Sequence, residues 1–233
     1  RYFLTNFQNW NGAPKLITEI TAETIHDFLA FKQENNGWSN KNYNNFVGDF
    51  STFLNYIINK YGGRVLSVNV LKKFGKLPVD EQGNKAYSDQ QIAKLKELML
   101  AKNPYLYFFC MMVYHTCTRP QTEARYLKCG DFDFQHKRVF IGGDIAKSNK
   151  PGWVPLPDYF LELCKQWGVD KGDPDAYIFT RYRKPWRKPL NEETIQGWYG
   201  EIKKLAKLGD EYSIYSWKHT RNIHVWLDTK DAH

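Results

Sequence analysis

The sequence predicts a mainly α-helical protein of two domains, with a small antiparallel sheet confined to the second. Three observations lead there. Tyr43, Phe46, Val47, Phe50, Phe53, Leu54, Ile57, Ile58 and Tyr61 keep the spacing of a helix with one buried face. Residues 78–87 (PVDEQGNKAY) are polar, hold one Pro and one Gly, and carry no apolar period. Phe132, Phe134, Val139 and Ile141 then alternate with polar residues around Gln135-His136-Lys137, which is the period of a strand.

Taken in order, the first domain spans residues 1–80 and is expected to be wholly helical. Ile25, Phe28 and Leu29 follow Thr21, a suitable N-cap, and the long helix of residues 43–61 stops at Gly62-Gly63. Its polar face is rich in Asn, and residues 1–85 hold ten Lys/Arg against seven Asp/Glu. A linker covers 81–87, and the second domain runs over 88–233. Ser88 and Gln91 form a capping box, with Tyr87 and Ile92 at the staple positions. Asn103-Pro104 opens a helix that is apolar nearly all round (YLYFFCMMVYH), the expected centre of the domain. A shorter helix should run from Pro120 to about Leu127. The hairpin follows, then a third strand over Gly152–Leu156. Helices resume at Asp158–Trp167, Glu192–Leu208 (capped by Asn191) and Ser216–Leu227.

Composition excludes several classes. Hydrophobic residues make up 42% and charged residues 25% of the 233, a globular mixture rather than that of a disordered or collagen-like chain. No apolar run approaches the ~18–20 residues that cross a bilayer, so no membrane partner is expected. The four cysteines are scattered, with no ligand spacing for zinc, and read as free thiols of a reducing cytosol. The formal charge of +8 favours a polyanionic partner, because bound Lys and Arg release counterions from phosphates.

Four places could carry chemistry. Arg119 ends the apolar helix among small and polar residues (HTCTRPQTEARYL); capping that helix is its plainer use. Lys147 lies in the turn between the second and third strands, where a Lys is ordinarily just solvated. Residues 181–188 (RYRKPWRK) place five cations beside Tyr182 and Trp186. Such a loop is either simply solvated or a surface that tracks phosphates. Tyr215-Ser-Trp-Lys-His-Thr opens the last helix.

The order of these elements resembles the tyrosine recombinase (phage integrase) family, its Bacteroidetes-type members in particular, over nearly the whole chain. Thr116–Arg119 matches a T-x-x-R box and precedes LKCGDFD, the family's L-K-x-x-D-x-D. Lys147 matches the hairpin Lys, with Val154-Pro155-Leu156 starting seven residues later. Tyr215–Thr220 stands where the family has H-x-x-R-H-T. The resemblance implies a helical, SAM-like core-binding domain followed by an α+β catalytic domain, the two forming a clamp on double-stranded DNA. It implies strand cleavage through a 3′-phosphotyrosyl bond, with neither metal nor other cofactor. Arg119 would hold the non-bridging oxygens. Lys147 would be the general acid to the leaving 5′-oxygen. Tyr215 would donate a hydrogen bond to the phosphate, and Lys218 would occupy the second Arg position. Lys41, Arg181, Arg183, Lys184, Arg187, Lys188, His219 and Arg221 are expected at the DNA.

Three departures qualify this. Arg119 lies one residue further from LKCGDFD than is usual, which shifts the acidic residue of the following helix to Glu123. Lys218 replaces Arg and loses its planar fork; Arg221, one turn on, could compensate. The chain opens at Arg1 and stops at His233, before the family's nucleophilic Tyr, so it is expected to be a fragment that binds DNA without cleaving it. Cytoplasmic, nucleoid-associated recombination of a mobile element follows, with the full-length protein a tetramer on DNA. The alternatives are a non-catalytic DNA-binding relative with a degenerate site, or an interaction protein whose basicity is incidental.

Overall fold

The computed structural model describes residues 2–79, 83–146 and 149–230. The chain forms two compact units, 1–81 and 82–233. In the first, helices α1 (Tyr2–Gln8), α2 (Ala22–Asn36) and α3 (Asn40–Lys60) surround a core of aromatic and branched side chains. Phe28 meets Phe46 at 4.9 Å and Phe7 at 5.1 Å between ring centroids. Each such ring contributes about 1.5–3 kcal/mol by leaving water. Thr21 and Ser39 cap α2 and α3 by accepting from Thr24 N–H and Asn42 N–H.

The unit is less helical than its sequence suggests. Residues 61–79 hold only a 3₁₀ turn, Val70–Lys73. After Gly62 and Gly63, both at positive φ, no apolar period sustains a helix. The segment instead drops Leu71 into the core. Its polar backbone is met by the Asn residues of α3: Asn44 both donates to Leu77 C=O (2.9 Å) and accepts from Leu77 N–H (2.8 Å), and Asn40 donates to Pro78 C=O. The Asn-rich face is thus partly structural.

The second unit is built around α5 (Pro104–Thr116), nearly all of whose side chains are buried. Helices α4 (Asp89–Lys102), α6 (Asp158–Gln166), α7 (Glu192–Leu205) and α8 (Tyr215–Thr229) all pack against it. The capping box of Ser88 and Gln91 is present, and Asn103 caps α5 through Leu106 N–H. The sheet is antiparallel in the order β1 (Phe132–Asp133), β2 (Arg138–Ile141), β3 (Gly152–Pro155). Phe132 faces Val139, which in turn faces Val154. β1 is shorter than the alternation predicts. The Asp133 carboxylate accepts from His136 N–H, His136 Nδ1 and Arg138 Nε, and this closes the turn before Phe134 can join the strand.

Residues 84–87 do not hang free. Asn84 bonds Ser213 Oγ at 2.5 Å, Lys85 N–H donates to Glu211 C=O, and Tyr87 N–H donates to Thr220 Oγ1. The buried Tyr87 hydroxyl donates to Ser213 C=O and shares a hydrogen bond with the Tyr199 hydroxyl. Burial pushes the Tyr87 phenol above its ordinary range. The second half of the expected linker is therefore a strap across the start of α8. α7 ends at Leu205, earlier than expected, because Lys207 turns into the left-handed region.

Candidate active site

The site grows from the C-terminal end of α5. Thr116 Oγ1 donates to Met112 C=O (2.6 Å) and pairs with Thr118 Oγ1 (2.6 Å), and Cys117 takes a left-handed conformation (φ 52°) that stops the helix. Arg119 then leaves the helix facing Glu123. The Glu123 carboxylate accepts from Arg119 N–H at 2.5 Å and from Arg119 Nε at 2.9 Å. Arg119 Nη2 donates to Ile145 C=O (3.3 Å), beside the hairpin turn. The guanidinium side chain is 23% exposed and Glu123 9%. Nη1 makes no hydrogen bond among the described residues, so the fork is fixed in direction but keeps donors for an anion.

Residues 120–127 are not the expected short helix. Arg119 C=O accepts from both Glu123 N–H and Ala124 N–H, and the bonds that follow give only a 3₁₀ turn at Ala124–Tyr126.

α8 brings the other cations. Lys218 and Arg221 are three residues apart on α8, and both are half-buried. Burial raises the Cys117 thiol pKa, and the charges of Arg221 and Lys218 draw it back, so the field of both cations reaches the end of α5. Neither forms an ion pair among the described residues. Arg221 lies over the Tyr114 ring at 5.5 Å, and Lys218 Nζ is 5.7 Å from the Tyr215 ring. Tyr215 and His219 are ring neighbours at 5.1 Å; burial and then Lys218 lower the His219 pKa.

Two residue pairs gave no signal in the sequence. His115, buried at the end of α5, shares a hydrogen bond with the Tyr159 hydroxyl (2.8 Å), and Tyr114 with His224 Nδ1 (2.7 Å). Desolvation, helped by Arg221, lowers His115 to about 4. The imidazole near Arg221 is therefore neutral at pH 7 and adds no positive charge of its own. None of the four belongs to a box, so only their packing reveals them.

Lys147 lies outside the described residues. Lys41 is exposed in the first turn of α3, in the other unit. Arg181, Arg183, Lys184, Arg187 and Lys188 are all exposed or half-buried on the loop before α7 and form no ion pair among the described residues. The base of that loop is tied to the Arg119 segment: Ile178 N–H donates to Leu127 C=O, and Arg125 Nη1 donates to Leu190 C=O. Among the described residues no helix is long and apolar enough to span a membrane.

Comparison with known proteins places this geometry. The fold is similar to that of the Tn1549 transposon integrase, solved in complex with a circular intermediate DNA (TM-score 0.77, 14% identity, 98% of this chain and 80% of that one). It is also similar to a lambda integrase dimer bound to a COC′ core site (0.75, 12%, 98% and 82%). A lambda integrase tetramer on a Holliday junction gives 0.75 at 13% identity, over 98% and 66%. No curated protein matches the sequence significantly. The sequence model of the phage integrase family matches residues 88–224, which is more than half of the chain and contains every box built into the site above. The chain belongs to the phage integrase family, the tyrosine-type site-specific DNA recombinases.

Proposed function

We propose that this chain binds duplex DNA and presents one phosphodiester to the cations at the end of α5. The observation that carries the reading is that Arg119 is clamped at the end of α5, while Arg221, which lies over the α5 residue Tyr114, and Lys218 on the same helix form no ion pair among the described residues. An unpaired, half-buried cation pair invites a doubly liganded anion such as a phosphate. In the reaction a tyrosine hydroxyl attacks phosphorus, the new O–P bond forms as the bond to the 5′-oxygen breaks, and that oxygen needs a proton. Arg119 holds a non-bridging oxygen and stabilises the charge that builds there. Lys147, matched to the family's hairpin Lys by its sequence position alone, gives the proton to the 5′-oxygen. Lys218 neutralises charge as a point cation, and Arg221 restores the fork that Lys218 lacks. Tyr215 donates a hydrogen bond to the phosphate. Lys41, His219 and the cations of the 181–188 loop hold flanking phosphates.

The working form is several copies on DNA, in the cytoplasm and associated with the nucleoid. The test is fluorescence anisotropy with a labelled duplex over a salt series. Because the three cations share one phosphate, replacing Arg119, Lys218 and Arg221 together by Ala should make the slope of log K against log[salt] less negative by about 0.9, the value of one phosphate. An unchanged slope in the triple variant refutes the placement of the phosphate.

A further inference from the structure

The loop of residues 180–188 carries more than charge. Tyr182 is 54% exposed and Trp186 47%. The rings meet edge to face, with centroids 5.7 Å apart, amid five cations. The backbone beneath them is fixed. Tyr177 and Trp186 exchange both backbone bonds (2.8 and 3.0 Å), Thr180 Oγ1 donates to Lys184 C=O (2.6 Å), and Leu190 N–H donates to Phe179 C=O (2.7 Å). From the core, the Tyr105 hydroxyl accepts from Thr180 N–H and donates to Ile178 C=O. Gly172 closes the other side, where an added Cβ would lie 2.5 Å from Cys129 Sγ and 3.1 Å from Pro185 Cβ.

Beside Trp186 is a hollow of about 520 Å³, lined by Asp173, Asp175, Ala176, Pro185, Trp186 and Arg187. Its lining sorts the two parts of a nucleotide. The carboxylates repel phosphate but accept from base N–H groups. Asp173 already accepts from Asp175 N–H (2.9 Å), and Asp175 pairs with Lys128 Nζ (3.2 Å), which steadies both. Indole and pyrrolidine offer apolar faces to a flat ring, and Arg187 offers a cation to the phosphate.

In a duplex each base face is covered by its neighbour. In an unpaired strand the faces are open, and exposed rings among cations are the means of holding them. We infer that this loop and its hollow bind an unpaired DNA strand. Bases stack on Trp186 and Tyr182, and Arg181, Arg183, Lys184, Arg187 and Lys188 follow the phosphates. The inference rests on the recombinase reading, since exchanging strands between duplexes requires base pairs near the break to open.

The experiment compares a labelled single strand of about 16 nucleotides with its duplex, by anisotropy, for wild type, Tyr182→Leu, Trp186→Leu and Trp186→Phe. Each Leu variant should lose at least about five-fold in single-strand affinity, with duplex affinity held within about two-fold, while Trp186→Phe keeps its hold on the strand. The Tyr182 hydroxyl makes no hydrogen bond among the described residues, so Tyr182→Leu still tests the site where a change at Trp186 disturbs the loop. Equal losses on both DNAs, or none on the single strand, overturn the inference. Wild type failing to bind duplex would sink the recombinase reading itself, whereas duplex binding with ring-independent strand binding sinks only this site.

Discussion

Consider replacing Arg181, Arg183, Lys184, Arg187 and Lys188 together by Ser. No acidic side chain among the described residues forms an ion pair with any of the five. Backbone bonds and the Thr180 hydroxyl hold the loop, and the Arg183 guanidinium also lies over the Trp198 ring at 5.7 Å. If each cation meets one phosphate, the salt slope becomes less negative by about 0.9 for each, or about 4.5 in all. Over a fourfold rise in salt, from about 50 to 200 mM, wild type should then lose about 500-fold more affinity than the variant. Anisotropy titrations on two duplexes of unrelated sequence read this directly. Both should weaken alike, since phosphates position but do not specify. A slope changed by less than about one, or a loss confined to one sequence, would refute the reasoning and make the loop a base reader.

Two further outcomes concern stability. Glu123→Ala removes the acceptor of two Arg119 bonds and leaves a mostly buried guanidinium unpaired, so it should destabilise by about 2–3 kcal/mol in urea unfolding; a loss below about 0.5 kcal/mol would show that the clamp is incidental. His115, lowered to about 4, refuses a proton that the unfolded chain accepts near 6.5. Its contribution is therefore intact above pH 6.5 and is lost as the pH falls toward 4, by up to about 3 kcal/mol. Unfolding curves of His115→Gln should be flatter than wild type over that window, and superimposable pH profiles would contradict the assignment.

Local signals in the sequence carried most of the second unit. The capping residues Ser88, Asn103 and Asn191 each sit where their side chains close a helix start. The change from helical to alternating period located the hairpin. Signals failed where a side chain outcompeted the local pattern. Asp133 closes its turn early, and the Asn residues of α3 supply a segment that makes no helix of its own. The boxes named Arg119, Lys218 and Tyr215, but not what surrounds them. That Arg221 lies over Tyr114, and that its charge and that of Lys218 are felt at Cys117, depends on how α8 lies against α5, and no spacing along the chain encodes a packing of elements a hundred residues apart. The strap at residues 84–87 is hidden for the same reason: its composition is that of a linker, and its partners lie on α8 and on the turn before it.

The Arg119–Glu123 pair cancels its own charge. On the proposed reading, what remains on the end of α5 is aim without pull: donors for an incoming oxygen, but no net field to draw it in. The attraction would then belong to α8, where Lys218 and Arg221 form no ion pair among the described residues; Tyr87 N–H holds α8 at Thr220, and Asn84 holds Ser213 just ahead of it. A tug on the chain ahead of Tyr87 would therefore dim the field at the phosphate before it disturbed the aim.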